Sequence, residues 1–494
     1  MRILFFLPMT RHTPVFEWAL DIVQRHLDDG DEILLLICGG EAASCEINLH
    51  HRYSVCHKCT TKRRAGFKLL EGAYKTAPFL KLTPENRREI SALPAAFESI
   101  DALKRFDSGG FDLGMAVASS MISCTRDPHF DLREHREAVS NLMQTAFAIY
   151  RSVQNYLSES HYDRVYVLNA RIATFRAVFR AARGKNVDCH VYEAGATIHR
   201  TQQFINHMPM DIHYARKLIQ DTWENNPNAA ERERIGRLFY EKASQGQSLI
   251  NYVARHKEGL LPEGFDANAH NVVIYNSSED ELAAVGDDWK NPVYPSQLDG
   301  LQAIRRDIDA LPHNTRFYLR MHPHLRGVDN AFTRALMALQ HPRFMIIPPD
   351  SPVSSYALLC AARTVLTFGS TMGMEAVYFG KPSVLAGQSF YYDMGATYNP
   401  ATHTELLALL SKALPPKPVE PALVYGYFCE TFGQPFKYFK AESYTTGKFK
   451  GRRIAYGRHL DYFWGGFEKL PLVGAWLNRR HRKRAHQLLG TSRT

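Results

Sequence analysis

The sequence predicts an α/β protein built from two doubly wound parallel-sheet domains that face a central cleft. Three observations carry this expectation. Apolar β-rich runs alternate with helix-length amphipathic segments in both halves, which demands crossover helices and therefore parallel strands. A short linker, Leu261-Pro-Glu-Gly-Phe-Asp266, separates the halves. Finally, Val365–Leu385 reads as strand, small-residue turn, short helix, turn and strand, the junction at which open parallel sheets hold ligands.

In the first half, residues 2–7 and 32–38 are strands around a helix pattern at 14–29. A cysteine-bearing loop (38–59) follows, and residues 84–160 read mostly helical. The helical pattern is clearest at 134–158, where Val139, Leu142, Ala146, Ile149, Tyr150, Val153 and Leu157 form an apolar stripe. The alternation resumes with a strand at 164–169, a helix at 172–183 and a strand at 189–193, and residues 212–258 look helical. In the second half the strands are 272–276, 317–321, 344–347, 365–368 and 383–385. The expected domains are 1–260, 267–415 and a helical, basic tail at 416–494.

Composition narrows the class. The chain has 494 residues, 45% hydrophobic and 22% charged, enough for two or three globular domains. No apolar run reaches the ~18 residues that a membrane span needs. The segment Met1-Arg-Ile-Leu-Phe-Phe-Leu-Pro-Met9 has a short apolar stretch and no small-residue cleavage site, so it reads as a buried strand of a cytoplasmic protein. The formal charge is +10, and residues 447–494 hold twelve Lys/Arg against Asp461 and Glu468, which accounts for all of it. Basicity therefore belongs to the tail, and nucleic acid is not an expected partner of the body.

Four polar clusters fall at strand ends of the second half. In the first, Gly369, Ser370, Thr371 and Gly373 allow a ligand close to the backbone, with Glu375 in the first turn of the helix that follows. In the second, Asn276-Ser-Ser-Glu-Asp-Glu281, a capping box explains Ser278 and Glu281 but leaves Asn276 and Ser277 unassigned. In the third, Arg320-Met-His-Pro-His324, the residues Arg320, His322 and His324 can meet a phosphate or diphosphate by charge-assisted hydrogen bonds. The fourth, Pro349–Tyr356, is a polar loop placed to cover a base or ribose. In the first half, Glu193 ends a strand before Gly195, a place for a general base acting on a hydroxyl, and Asn169-Ala-Arg171 ends the neighbouring strand.

Taken in order, Asn-x-Arg, Glu-x-Gly, Ser-Ser-Glu-Asp-Glu, Arg-x-His-Pro and Gly-Ser-Thr-x-Gly-x-Glu-Ala-x-x-x-Gly-Lys-Pro resemble bacterial capsule and surface-polysaccharide glycosyltransferases of the GT-B architecture, over roughly 160–410. They are more distantly similar to Kdo and sialic-acid transferases. The resemblance implies a GT-B-like pair of Rossmann-like domains that moves a sugar from a nucleotide-sugar donor to a hydroxyl of a growing cell-surface glycan. It implies that Glu193 activates the acceptor and His322 holds the donor phosphate. Ser277, Ser278, Ser370 and Thr371 would help bind phosphate, and Glu375 would meet the donor ribose or sugar. Asn169-Ala-Arg171 stands where Asn-Gly-Arg is expected. Such enzymes need no metal for the chemistry, since dipoles and cations neutralise the leaving group. A nucleotide-sugar 2-epimerase, a polyol-phosphate transferase and a non-catalytic assembly protein are the alternatives.

Two further features carry expectations. Cys38, Cys45, Cys56 and Cys59 are spaced to hold a structural Zn²⁺, with His50, His51 or His57 able to replace one thiol; a Cys56/Cys59 redox pair or four unrelated thiols are the other readings. In the tail, Tyr462, Phe463, Trp464, Phe467 and Trp476 mix with Leu470, Leu472, Val473 and Leu477 ahead of Arg479-Arg-His-Arg-Lys-Arg484. Apolar rings beside a cationic cluster suit the inner-membrane surface, where lipid-linked acceptors lie. The competing reading packs 462–477 onto the N-terminal domain and leaves 479–494 as a solvated basic tail.

Overall fold

A computed structural model describes residues 1–247, 256–277, 283–455 and 470–491. The chain forms two compact units: Met1–Thr125 with Phe130–Met210 and Gly433–Thr494, and Arg126–His129 with Asp211–Phe432.

The first unit is built on a seven-stranded sheet. Its strands are β1 (Arg2–Leu7), β2 (Glu32–Ile37), β3 (Lys75–Pro78), β4 (Arg164–Leu168), β5 (Asp188–Ala194) and β6 (Arg200–Ile205), joined by the late strand Gln434–Pro435. The order is Gln434–Pro435, β6, β5, β4, β1, β2, β3. β1 to β5 run parallel, and β6 returns antiparallel to β5 through a hairpin at Gly195. Strands covered on both faces read as continuous apolar runs, as in Ile3–Leu7, all buried. The helix Val15–Asp28 covers one face with Phe16, Leu20 and Val23. The helix Arg136–Glu159 buries the predicted stripe Val139, Leu142, Ala146, Ile149, Tyr150 and Val153.

The second unit is a five-stranded, wholly parallel sheet. Its strands are β7 (His270–Tyr275), β8 (Thr315–Arg320), β9 (Phe344–Ile347), β10 (Thr364–Thr367) and β11 (Ser383–Leu385), in the order β11, β10, β7, β8, β9. The chain starts in the middle and winds out in both directions, so the strand order reverses between β7 and β10. One face is packed by Val272, Ile274, Phe317, Leu319 and Leu366, the other by Val273, Tyr275, Tyr318 and Val365. The α/β class with two doubly wound, mostly parallel sheets is the fold observed.

The unit boundaries differ from those read in the sequence, 260 and 415. The helices Ile212–Glu224 and Ala229–Ser244 belong to the second unit, because they pack on Glu420–Thr431. Gly236 and Gly426 make that contact possible: a Cβ on Gly236 would lie 2.5 Å from the Leu423 carbonyl oxygen, and one on Gly426 2.4 Å from that of Gly236. Tyr240 adds a hydrogen bond from its hydroxyl to the Ala422 carbonyl at 2.7 Å. After Phe432 the chain returns to the first unit, where the buried Asp21 carboxylate accepts from the backbone N–H groups of Lys437 and Phe439, each at 2.9 Å. The segment 416–494 is thus not one helical tail: it contains Glu420–Thr431, a hairpin of Phe439–Ser443 with Thr446–Phe449, and the helix Pro471–Leu489.

That last helix does not divide at 478 as the competing tail reading has it. Gly474, Ala485 and Leu489 are buried and Asn478 and His481 half-buried, one face at helical spacing. Leu472 and Trp476 are 87% and 56% exposed on other faces. No helix of the described residues is long and apolar enough to cross a membrane. Tyr462, Phe463, Trp464 and Phe467 lie outside the described residues.

Candidate functional site

In the second unit the polar residues singled out from the sequence gather at the carboxyl ends of β7, β8 and β10. Asn276 follows β7, and its side-chain oxygen accepts from the His322 backbone N–H at 2.8 Å, tying the end of β7 to that of β8. Ser277 approaches Gly369 from across the strand-order reversal: a Cβ on Gly369 would lie 3.5 Å from Ser277 Oγ. Buried Gln297 fixes this serine, accepting from its N–H at 2.7 Å and donating to its carbonyl at 3.3 Å. Ser277 Oγ is buried and has no hydrogen-bond partner among the described residues, a costly state unless a ligand meets it. Ser278 lies outside the described residues.

The β10 turn is shaped for its own packing as well as for a ligand. Gly369 has φ of +133°, and a Cβ there would sit 2.7 Å from the Gln388 carbonyl oxygen. The bare face of Gly373 is filled by the Tyr391 hydroxyl, 2.5 Å from where a Cβ would be. The expected close approach of a ligand to Gly373 is therefore taken by a protein side chain. The following helix, Met372–Tyr378, does not offer a full set of free amides either. The Met372 N–H bonds Ser370 Oγ at 3.3 Å, that of Gly373 the Ser370 carbonyl, and those of Met374 and Glu375 the Thr371 carbonyl. What remains for a ligand is the Ser370 hydroxyl proton, since Thr371 donates its own to Glu375.

Glu375 is 5% exposed and already engaged, by the Tyr356 hydroxyl in a short hydrogen bond and by Thr371 Oγ at 3.2 Å. Burial pushes its carboxyl above the ordinary glutamate value, against the pull of those two donors. Its contact with Thr371 makes it an organiser of the hydroxyl turn.

Arg320 is likewise turned inward. Its guanidinium donates to the carbonyls of Pro348 and Ser351, the latter at 3.1 Å, and to His256 Nε2 at 2.8 Å, so it fastens the loop after β9. Burial lowers it to about 10, and burial together with the arginine lowers His256 to about 4, which keeps that imidazole neutral. His322 Nδ1 accepts from the His324 N–H at 3.2 Å, which puts the ring proton on Nε2 and makes that nitrogen a donor. The two rings lie 5.0 Å apart. Ser354 caps the helix Ser355–Ala361, ending the polar loop predicted to face a base or ribose.

In the first unit, the equivalent position between β1 and β4 is arranged differently. The helix Ala173–Gly184 starts just after β4, and its first two amides are occupied: Ala173 N–H by Ser120 Oγ at 2.7 Å and Thr174 N–H by Glu46 Oε1 at 3.0 Å. Glu46 Oε2 also accepts from the Thr174 hydroxyl at 2.8 Å. A protein carboxylate thus sits where a phosphate would bind a helix N-terminus. Beside it, Asn169 Nδ2 donates to Glu193 Oε2 at 2.6 Å, and Glu193 Oε1 accepts from the Ala194 N–H at 3.0 Å. Arg171 reaches Ser119 and Ser123 at 3.1 and 3.0 Å. Asn169 and Ala170 have φ of +54° and +59°, so Ala170 occupies a left-handed conformation that glycine adopts freely. That is the physical content of the Asn-Gly-Arg expectation.

The four thiols expected to share a zinc ion are not gathered: among the described residues, no three of them bring their sulfurs within 4.8 Å of one another. The reason is local. Residues Tyr53–Phe67 form a helix, so Cys56 and Cys59 are not the two arms of a tight hook. Cys59 Sγ accepts from Thr10 N–H at 3.2 Å, after β1, whereas Cys56 Sγ accepts from Asn48 Nδ2 at 3.2 Å. Burial raises the thiols of Cys38 and Cys45 well above their ordinary value. Gln297, Tyr356, Tyr391 and Glu46 all act in these sites; Tyr356 stood in the polar loop 349–356 and Glu46 in the cysteine-bearing loop 38–59, neither with a role read from the sequence.

Residues 291–419 match the model of a family described as capsule polysaccharide biosynthesis protein. Among solved structures, the chain is similar to a Thermosulfurimonas dismutans KpsC β-Kdo 2,4 transferase at 14% identity, over 54% of this chain and 79% of that one, with a TM-score of 0.37. It is also similar to S. aureus MnaA in a co-structure with UDP, at 11% identity over 97% of each chain and a TM-score of 0.25. A UDP-GlcNAc 2-epimerase from Neisseria meningitidis, bound to UDP-GlcNAc, is similar at 9% identity over 86% of this chain and 97% of that one, with a TM-score of 0.24. No curated protein matches the chain.

Proposed function

We propose, from the match of residues 291–419 to the capsule polysaccharide biosynthesis family, that the protein is a glycosyltransferase that moves a sugar from a nucleotide-sugar donor to a hydroxyl of a growing capsule or related surface glycan. One observation carries the reading: the matched segment contains the strand ends of β8, β9 and β10, where His322, Ser370 and Thr371 lie, and Ser277 meets it from β7 with a buried, unpartnered hydroxyl.

In this reading the second unit binds the donor. His322, through the proton on Nε2, and the hydroxyls of Ser277, Ser278 and Ser370 stabilise the charge that builds on the phosphate as its bond to the anomeric carbon breaks, and Thr371, bonded to Glu375, shapes the turn that carries Ser370. His324 flanks them, while Arg320 and Glu375 hold the surrounding loops. These donors need no divalent cation to act on the leaving group. The first unit, whose phosphate position Glu46 occupies, serves the acceptor: Glu193 takes the proton of the attacking hydroxyl, Asn169 orients its carboxylate, and Arg171 lies alongside. The acceptor is a lipid-linked or oligosaccharide chain, and the enzyme works in the cytoplasm against the inner-membrane surface through its basic C-terminal helix.

Incubation with CMP-, UDP-, GDP- and dTDP-sugars, with and without an oligosaccharide or lipid-linked acceptor, tests this reading. Acceptor-dependent release of one nucleotide is the expected result. Epimerised sugar formed without acceptor would replace it by the 2-epimerase, transfer of a polyol phosphate by the polyol-phosphate transferase, and no turnover of any donor by a non-catalytic assembly role.

A further inference from the structure

His51, Cys56 and His481 each offer a ligand atom, and the three atoms lie within 4.8 Å of one another in the first unit. Two come from the start of the chain, just before and within the helix Tyr53–Phe67, and the third from the helix Pro471–Leu489. We propose that these three side chains bind one Zn²⁺ ion, with water in the fourth position, and that the ion clamps the C-terminal helix onto the N-terminal loop.

The strongest support is His51. Its side chain is 2% exposed, and its buried ring nitrogens have no side-chain hydrogen-bond partner and only a loose contact with the Gly40 backbone among the described residues. A buried imidazole so loosely held costs folding free energy, and a metal ion on one ring nitrogen would leave the other for the Gly40 backbone. Its ring and that of His481 stand 4.1 Å apart between centroids, inclined by 62°.

The surroundings fit a ligand set held in place. Gly40, with φ of +94°, admits the third ligand, since a Cβ there would sit 2.6 Å from His481 Cε1. Asn48 steadies Cys56 through its 3.2 Å bond to Sγ and is itself locked by Arg52, whose N–H it accepts at 2.7 Å and whose carbonyl it meets at 2.9 Å. Donors of this kind around a ligand set its orientation. The C-terminal helix is brought to the loop independently by the Tyr53 N–H, which donates to Asn478 Oδ1 at 2.8 Å. Tetrahedral zinc places nitrogen and sulfur ligands roughly 3.3–3.8 Å apart, so modest side-chain adjustment closes this set around an ion. One thiolate with two imidazoles favours Zn²⁺ over the oxygen-seeking cations.

The test uses the full-length protein, stripped with a chelator and titrated with Zn²⁺ or Co²⁺. Elemental analysis should give one zinc per chain, and Co²⁺ should produce a thiolate-to-metal charge-transfer band with the d–d spectrum of a tetrahedral site. Cys56→Ser and His481→Gln should each weaken Zn²⁺ at least ~10-fold, a loss expected even for outer-shell changes, whereas Cys38→Ser and Cys45→Ser should bind as the parent does. Zinc should raise the melting temperature of the parent and not that of His481→Gln. Sub-stoichiometric zinc, a cobalt spectrum without the thiolate band, or equal loss in the Cys38 and Cys45 variants overturns the proposal. The cobalt spectrum of the parent decides even where a variant fails to fold.

Discussion

Asn169, at the end of β4, donates from its side-chain amide to Glu193 Oε2 at 2.6 Å, at the end of β5. The second carboxylate oxygen is held by the Ala194 N–H, so the carboxylate is aimed by two donors. Asn169 reaches this position because it and Ala170 both take left-handed backbone conformations, which turns the chain sharply as it leaves the strand.

If Glu193 is the base, Glu193→Ala lowers kcat by about 10²–10⁴-fold with donor affinity kept. Asn169→Ala, which leaves the carboxylate present but poorly aimed, lowers kcat less and also leaves donor affinity unchanged. Steady-state kinetics with isothermal titration of the nucleotide separates the two effects. Near-normal turnover in Glu193→Ala would remove the assignment.

Ala170 gives a stability test of the same turn. A left-handed alanine costs about 1–2 kcal/mol, against which glycine loses about 0.4–1 kcal/mol through its freer unfolded chain. Ala170→Gly should therefore stabilise the first unit slightly, by about 0.5 kcal/mol, seen as a higher denaturation midpoint with unchanged slope. A clear loss of stability would mean that the buried methyl group outweighs the backbone term.

Arg320 and His322, in Arg320-Met-His-Pro-His324, should separate experimentally. Arg320→Met leaves the Pro348 and Ser351 carbonyls short of a donor and should cost about 2 kcal/mol of folding, since hydrogen bonds to charged groups are worth about 1.5–3 kcal/mol. His322→Ala loses the cap on the His324 N–H, should cost less than Arg320→Met at about 1 kcal/mol, and should weaken nucleotide binding. Thermal unfolding paired with nucleotide titration reads both, and equal unfolding midpoints for the two variants would contradict the inward role of Arg320.

These residues also mark what the sequence could and could not say. Strands buried on both faces, such as Ile3–Leu7 and Val272–Tyr275, announce themselves as apolar runs, and the polar groups at their ends follow from topology. β3, β6 and Gln434–Pro435 lack such a run, because they lie towards the sheet edges with exposed or half-buried positions, as in Lys75, Thr76 and Pro78 of β3. The unit boundary was hidden because it depends on Gly236 meeting Gly426, a contact between helices with nothing periodic to flag it. The four thiols Cys38, Cys45, Cys56 and Cys59 do not gather, and no spacing rule shows that the C-terminal helix meets their loop from 425 residues away, as Tyr53 and Asn478 do. Whether Arg320 or Glu375 faces a ligand or its own loops depends on Pro348, Ser351, Tyr356 and Thr371, which no spacing rule identifies.

Glu375 predicts a pH dependence. Its folded-state carboxyl is raised by burial, so the protein favours the neutral form. The stability from this group is complete below the unfolded value and is lost as pH rises through the raised folded value. Glu375→Gln removes that titration while keeping an acceptor oxygen for one of Thr371 and Tyr356 and offering its amide N–H to the hydroxyl oxygen of the other. The stability of the variant relative to the parent should therefore climb with pH above the ordinary glutamate range and then level off. Urea denaturation at a series of pH values measures it, and a pH-independent difference would show that the carboxylate is not the titrating group.

The C-terminal helix gives the last expectation, membrane contact. Leu470, Leu472, Val473 and Trp476 are exposed in the first unit, and Arg480 lies over the Trp476 ring at 5.4 Å. The buried face of the same helix, Gly474 to Leu489, leaves these side chains and the cluster Arg479, Arg480, Arg482, Lys483 and Arg484 available to a surface. Basic residues near an anionic bilayer contribute about 1 kcal/mol each, so five can hold a soluble protein reversibly, with Trp476 and Leu472 entering the headgroup layer. Because His481 sits on the docked face, the helix need not detach for this contact to form. Full-length protein should sediment with phosphatidylglycerol-containing vesicles at low salt and be released at high salt. Replacing Arg479, Arg480, Arg482, Lys483 and Arg484 by glutamine should abolish binding, and Trp476→Ser with Leu472→Ser should weaken it while leaving its salt dependence in place. Equal sedimentation of the parent and the glutamine variant, or none of either, would remove the helix from membrane attachment.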